Sequence, residues 1–212
     1  EFMLDTLVRD IDKLCDERPF HTGWYLKNLR TGETADCHGH VVVPSASARK
    51  IAIMMAALKA VHEGRLALDQ PVVIQALYQN NDSGCFQHLR PDFSIQLFDA
   101  LVMMIIVSDN TCTGTVADMV GLDQVNTLCQ SIGMRGTVHR PGMPPAAWAD
   151  HPLDAVNVTT DAGIISLGDR PLFTLTVSTA HLPETLPNGL PGHTAAVQLI
   201  GHVCRTCYDA VC

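Results

Sequence analysis

Residues 47–62 carry apolar side chains nearly all the way round a helical projection, at Ile51, Ile53, Met54, Met55, Leu58 and Val61. Gly64 suits the C′ position that ends such a helix. A helix apolar on every face has to be surrounded, so the rest of the chain must supply elements that pack around it. Residues 95–107 predict a second apolar helix, with Ser94 as its N-cap. A third runs from residue 110 to Val120 and ends at Gly121. A fourth, capped by Asp123, runs to Ile132 and ends at Gly133. The Met-rich stretches Met54-Met55 and Met103-Met104 read as core fillers.

The two ends of the chain have a different pattern. Leu4, Leu7, Val8, Ile11, Leu14 and Cys15 recur at helical spacing until Pro19 stops them. Residues 23–29 and 37–43 predict a hairpin around Arg30-Thr31-Gly32-Glu33, and residues 161–166 and 172–179 a second around Gly168-Asp169. The last helix shows Ala196, Leu199, Ile200, Val203, Cys204, Cys207 and Val211 on one side. Short connections within each hairpin favour an antiparallel sheet. The expected fold class is α/β of the α+β type: an antiparallel sheet flanked by N- and C-terminal helices, with an all-helical subdomain inserted. Residues 1–43 and 161–212 would form the sheet subdomain, and residues 44–160 the helical one.

Apolar content of 47% with 17% charged residues fits a compact globular chain. A net charge of −8 with no run of Lys or Arg argues against nucleic acid or an anionic membrane as partner. The most apolar stretch, residues 100–107, is too short to span a bilayer. Met3 reads as the native start, and the amphipathic, acidic segment after it is unlike a secretory signal. The eight cysteines lack small-scaffold spacing, so reduced thiols in a cytoplasm are expected, or a periplasmic or secreted location if a leader was removed. Cys204-Arg205-Thr206-Cys207 is a single C-x-x-C without a second pair, so buried thiols are the better reading than a metal site. His38 and His40 would share one face of a strand but show no third ligand. No cofactor or metal is read from the sequence.

Two short stretches carry chemistry. Ser47-Ala48-Arg49-Lys50 places a hydroxyl and an amine one helical turn apart at a helix start, where the amine can act as base for the hydroxyl. Ser108-Asp109-Asn110 closes the second apolar helix. With eight serines and four lysines, an S-x-x-K arises by chance in roughly one such chain in six. An S-D-N triplet is expected in only a few per cent of chains by a similarly rough count, so the pair is far more informative than either alone.

S-x-x-K and S-D-N are motifs of class A β-lactamases and penicillin-binding proteins. The chain resembles that superfamily, and class A β-lactamase-like serine hydrolases in particular, along nearly its whole length. Residues 24–33 resemble the first hairpin, and Val43-Pro44-Ser45-Ala46-Ser47-Ala48-Arg49-Lys50 the nucleophile segment. Val107-Ser108-Asp109-Asn110-Thr111 resembles the second motif, and residues 171–179 with the last helix the closing strand and helix. The resemblance implies Ser47 as acylated nucleophile and Lys50 as a base of lowered pKa. It implies Ser108 as proton relay to the leaving group, and Asn110 as a group that binds substrate or holds Lys50. The backbone N–H of Ser47 would supply half of an oxyanion hole.

The chain departs from that pattern twice. The loop glutamate that activates the deacylating water in class A enzymes has no counterpart in Thr137-Val138-His139-Arg140-Pro141-Gly142-Met143-Pro144, where Gly142 takes its place. His139 is the residue of that loop able to act on water, although a histidine without a visible partner is more often structural. No lysine precedes Thr-Gly or Ser-Gly, so K-T-G is missing. A pair like Thr159-Thr160 opens further helices in the family, yet here it abuts Asp161 directly, as though a block were omitted. Two functions follow: a serine hydrolase acting through an acyl-enzyme on an amide, ester or lactam, or a non-catalytic member of the fold with a binding or structural role. Specificity would rest with the loops at residues 80–86 and 139–148.

Overall fold

The computed structural model of the protein describes residues 4–79, 83–140 and 158–210. The chain divides into two units, Glu1–Ala46 with Leu153–Cys212, and Ser47–Pro152.

The first unit is an antiparallel sheet with a helix from each end of the chain. Helix α1 (Leu4–Asp16) turns Leu7, Ile11 and Cys15 inward at helical spacing and leaves Asp5, Asp10 and Asp16 exposed. Strands β1 (His21–Asn28) and β2 (Thr34–Cys37) are joined by a tight turn. The side-chain oxygen of Asn28 accepts from the N–H groups of Arg30 and Thr31, at 2.9 and 3.2 Å. This turn sets the register Trp24 opposite Cys37 and Lys27 opposite Thr34. The second strand was expected at residues 37–43. It ends at Cys37 because His38 takes a left-handed conformation, φ 56°, which turns the chain out of the ladder. His38 and His40 therefore do not share a strand face.

Strands β5 (Thr159–Leu167) and β6 (Arg170–Ala180), which follow β3 (Pro71–Ile74) and β4 (Phe93–Gln96) of the second unit in the chain, form the closing hairpin, and the sheet order is β2-β1-β6-β5. Helix α6 (Gly192–Asp209) buries Ala195, Ala196, Leu199, Ile200, Val203 and Cys207. These meet Ile11 of α1 and the sheet residues Leu26, Leu175 and Val177 in one core. The Trp24 indole N–H reaches Asp12 Oδ1 at 3.1 Å, so its ring is buried without stranding the polar atom. Thr159-Thr160, whose counterpart opens further helices in the family that the chain resembles, here begins β5. Thr159 stands opposite Thr179 and Thr160 opposite Ser178. The Thr179 hydroxyl donates to the Thr159 carbonyl at 2.9 Å and accepts its N–H at 3.1 Å. Strand pairing outweighs the capping preference of threonine here.

His21 opens β1, with its ring centroid 5.2 Å from that of His38. Burial, and then the neighbouring His38 and His181, hold its pKa below the ordinary 6.5. Its neutral form is the one the fold accepts, so stability is full above pH 6.5 and is lost as pH falls through the lowered value. Thermal melts from pH 7.5 to 5 should show a declining midpoint for the wild type, and a shallower decline for His21→Gln.

The second unit surrounds α4 (Asn110–Val120), which is buried at every position from Thr111 to Ala117. Helices α2 (Arg49–His62), α3 (Leu97–Ile106) and α5 (Leu122–Ser131) pack with it around Ile53, Leu97, Met104, Val116 and Val125. A helical start at Ile95 with a Ser94 cap does not occur. Strand β4 (Phe93–Gln96) pairs antiparallel with β3 (Pro71–Ile74), and α3 begins at Leu97. Phe93 and Ile95 alternate with Ser94 and Gln96, a period of two that the strand partner stabilises. Asp123 lies in the first turn of α5, whose N-cap is Gly121 at φ 84°. Among the described residues no helix is long and apolar enough to cross a membrane.

Candidate functional site

The site is built where two chain reversals meet inside the second unit. The first precedes α2. Ala46 has φ 44°, and a 3-10 turn, Ala46–Ala48, leads into Arg49. Ser47 therefore stands in this turn, just ahead of the α-helix, and Lys50 is in the helix's first turn. The second reversal separates α3 from α4. Ser108 has φ 55°, a left-handed conformation that costs a non-glycine residue about 1 kcal/mol or more. Strain of this kind persists only where the surroundings enforce it.

Asp109 enforces it. Its carboxylate is fully buried and caps α4, accepting from the Cys112 N–H at 2.9 Å. The other carboxylate oxygen accepts from the Phe86 N–H at 2.9 Å, which ties in the segment before it. Thr113 donates both its N–H and its hydroxyl to the Asp109 carbonyl, at 3.1 and 2.7 Å. Ser83 adds two further ties: its carbonyl accepts the Asn110 N–H at 3.0 Å, and its hydroxyl donates to the Ser108 carbonyl at 3.0 Å.

Within this frame the side chains of Ser47, Lys50, Ser108 and Asn110 come together. Lys50 is only 3% exposed, and its Nζ reaches Ser108 O at 2.6 Å, Ser108 Oγ at 2.7 Å, Asn110 Oδ1 at 2.7 Å and Ser47 Oγ at 3.3 Å. The two serine hydroxyls are 2.7 Å apart. Burial, opposed by the Asp109 carboxylate and aided by the Arg49 guanidinium, brings the Lys50 amine down to about 8. An ammonium has three N–H donors and a neutral amine two. Two of the four contacts are carbonyl oxygens, which only accept. The neutral amine spends both N–H groups on them and aims its lone pair at the serine hydroxyls.

The sequence singled out all four of these residues. It did not single out Ser83, Gly84 or the clamping role of Asp109, and only the S-D-N spacing hinted at the last. Gly84 has φ +96°, and a Cβ there would fall inside contact distance of the Asp109 side chain and Cα. Gly84→Ala should therefore lower stability by about 1–3 kcal/mol, read as a drop in melting temperature, and should slow any reaction at Ser47.

His139 is 5% exposed and pinned through its main chain. Asn126 Oδ1 accepts its N–H at 2.7 Å, and Asn126 Nδ2 donates to its carbonyl at 3.0 Å. Its ring Nε2 lies 3.4 Å from the Arg49 carbonyl. Gly142 and residues 143–148 lie outside the described residues. Among the described residues no group of three His, Cys, Asp or Glu is arranged to hold a metal ion. All seven described cysteines are free, Cys207 buried and Cys204 partly so.

Solved structures share this architecture. PBP-A superposes with a TM-score of 0.82 at 20% identity, over 98% of this chain and 96% of that one. A beta-lactamase from Chitinophaga pinensis DSM 2588 gives 0.81 at 17% identity, over 98% and 100%. A beta-lactamase from Sphaerobacter thermophilus DSM 20745 gives 0.78 at 23% identity, over 97% of each. At these identities the likeness establishes the fold, a β-lactamase/transpeptidase-like one. No curated protein matches the chain in sequence. A family model, that of the beta-lactamase enzyme family, does match it over residues 6–155. That span is well over half of the chain, and the protein belongs to the beta-lactamase enzyme family.

Proposed function

We propose that the protein is a serine hydrolase that opens an amide, ester or lactam through an acyl-enzyme on Ser47. The observation that carries this reading is the single buried amine, Lys50, in contact with two hydroxyls and two fixed carbonyl oxygens. An amine of pKa about 8 has a substantial neutral fraction near neutral pH, which an ordinary lysine lacks. The distances favour a relay. Ser47 passes its proton to Ser108 over 2.7 Å, and Ser108 passes its own to Lys50 over 2.7 Å, a shorter route than the direct 3.3 Å. Reversed, the same relay delivers a proton from Ser108 to the leaving nitrogen or oxygen. Asn110 holds the amine and, in this reading, also binds substrate. The Ser47 N–H, in the turn that opens α2, faces developing negative charge from a helix N-terminus.

The substrate is a small molecule. A mutant of PBP-A has been solved as an acyl-enzyme complex with penicillin G, with a TM-score of 0.80 and 22% identity to this chain, over 98% of this chain and 97% of that one. Penicillin G is therefore the first probe. Intact mass after exposure to penicillin G and to p-nitrophenyl phenylacetate should rise by one acyl group, and peptide mapping should place it on Ser47. An unchanged mass with both probes, or an adduct on another residue, overturns the reading.

A further inference from the structure

The two carbonyl oxygens that hold the Lys50 amine are not equivalent. Asn110 Oδ1 accepts it at 2.7 Å. The Ser108 carbonyl accepts it at 2.6 Å and also accepts the Ser83 hydroxyl at 3.0 Å. A carbonyl oxygen has two lone pairs, so Lys50 and Ser83 together use both. Each donor draws electron density from the oxygen and leaves a weaker acceptor for the other. The weakening falls hardest on the charged amine, because a hydrogen bond from an ammonium is roughly twice as strong as one from a neutral donor. Less support for the ammonium favours the neutral amine.

The loop that carries Ser83 is held by other bonds. The Ser83 carbonyl accepts the Asn110 N–H at 3.0 Å, and the Phe86 N–H reaches Asp109 Oδ2 at 2.9 Å. Gln79 Nε2 donates to the Phe86 and Leu89 carbonyls at 2.9 and 3.0 Å, and Gln87 Nε2 donates to the Gly84 carbonyl at 3.0 Å. None of these bonds uses the Ser83 hydroxyl. Removing it therefore leaves the loop anchored, and leaves the Ser108 carbonyl with Lys50 as its donor.

We propose that Ser83 is a positioning residue of the Ser47 reaction: by sharing the Ser108 carbonyl with Lys50, its hydroxyl withholds part of that oxygen from the ammonium and keeps the amine available as a base. The consequence for rate rests on the acyl-enzyme reading above, whereas the effect on the amine does not. The titratable groups that act on Lys50 are Arg49, beside it on α2, and Asp109 and Cys112 at the start of α4. Asp109 favours the ammonium and Arg49 opposes it, while burial keeps the Cys112 thiol protonated. Exchanging the Ser83 hydroxyl leaves all three in place, so a change in the amine reports the shared carbonyl.

The chain has four lysines, Lys13, Lys27, Lys50 and Lys59, so the amine can be followed directly. In the full-length protein carrying 13C-labelled lysine, the Cε signal that Lys50→Met lacks belongs to Lys50, and its titration reports the amine whether or not anything turns over. In Ser83→Ala the midpoint should rise from about 8 by on the order of half a pH unit, since one hydrogen bond alters another by a fraction of its strength. Ser83→Thr keeps a hydroxyl and should titrate as the wild type does. The acylation limb with p-nitrophenyl phenylacetate should move with the amine. At pH 7 Ser83→Ala should form the Ser47 adduct on the order of threefold more slowly, with a high-pH plateau within about twofold of wild type. An unmoved Lys50 titration in Ser83→Ala overturns the proposal even if the rate falls, because a slower rate alone marks a structural role. A Ser83→Thr that shifts as far as Ser83→Ala overturns it too. If Ser83→Ala does not fold, Ser83→Val and Ser83→Thr have nearly the same shape and isolate the hydroxyl, and equal titrations in that pair overturn the proposal. A wild type that forms no adduct instead removes the acyl-enzyme reading, and the titration then decides the role of Ser83 by itself.

Discussion

Lys50→Met should slow formation of the Ser47 adduct by about 1,000-fold or more, while the protein remains folded. Loss of a positioned general base costs on the order of 10²–10⁴ in rate, and Lys50 also orients both hydroxyls, so the upper part of that range applies. Met fills nearly the same volume but leaves Asn110 Oδ1 without its donor, while the Ser108 carbonyl keeps the Ser83 hydroxyl. The stranded acceptor costs about 1–3 kcal/mol. Removing an ammonium that is 3% exposed gives back a comparable amount. The melting temperature should therefore move by only a few degrees. The pH profile gives the sharper reading. Acylation needs the neutral amine, so the wild-type rate should rise with pH and reach half its maximum near the Lys50 pKa of about 8. In Lys50→Met that limb should be gone. Stopped-flow release of p-nitrophenolate measures both effects, and a variant that keeps the limb would assign it to another group.

The contrast between what the sequence disclosed and what it concealed has a physical origin. Ser47 and Lys50 are three positions apart on one helix start, and Asn110 is two positions beyond Ser108, so local spacing alone proposes each pair. The helical pattern of α2 is real, but its expected enclosure on every side does not hold: Ala52, Ile53, Ala56, Ala57 and Ala60 are buried while Ile51, Met55 and Leu58 stay exposed, and the threonine-rich α4 is the helix that the others surround. The terminal helix of residues 4–16 and the closing hairpin around Gly168-Asp169 were equally plain, because their patterns are local. Contacts that bridge long separations were not. Ser83 grips Ser108 and Asn110 from 25 and 27 positions away, and a serine in a polar loop looks like any other. His139 meets Arg49 across 90 positions, and nothing local marks it as buried. Where local signals competed with pairing, pairing prevailed. Ser94 and Thr159-Thr160 have the chemistry of helix caps and both lie in strands, because β3 and β6 offer backbone partners that a cap cannot match.

Asp109 lies at the meeting of these long-range ties, and the charge it carries can be separated from the bonds it makes. Asp109→Ala removes the cap on Cys112 and the acceptor for the buried Phe86 N–H. The cap is worth about 0.5–2 kcal/mol and the stranded donor about 1–3 kcal/mol, so a loss near 3 kcal/mol is expected. For a chain of this size that lowers the melting temperature by roughly 6–12 °C. The strained Ser108 loses what holds it, and adduct formation should fall by 100-fold or more even below the new melting point. Asp109→Asn behaves differently. An asparagine caps a helix about as well as an aspartate and still offers one carbonyl oxygen. It should lose about 1 kcal/mol and keep most of the rate at high pH. It also deletes the negative charge that props up the Lys50 pKa, so the half-maximal pH of acylation should move below about 8. A downward-shifted profile with a preserved plateau identifies Asp109 as a clamp that also tunes the amine. A plateau lost equally in Asp109→Asn and Asp109→Ala would mean that the carboxylate charge itself takes part in the chemistry.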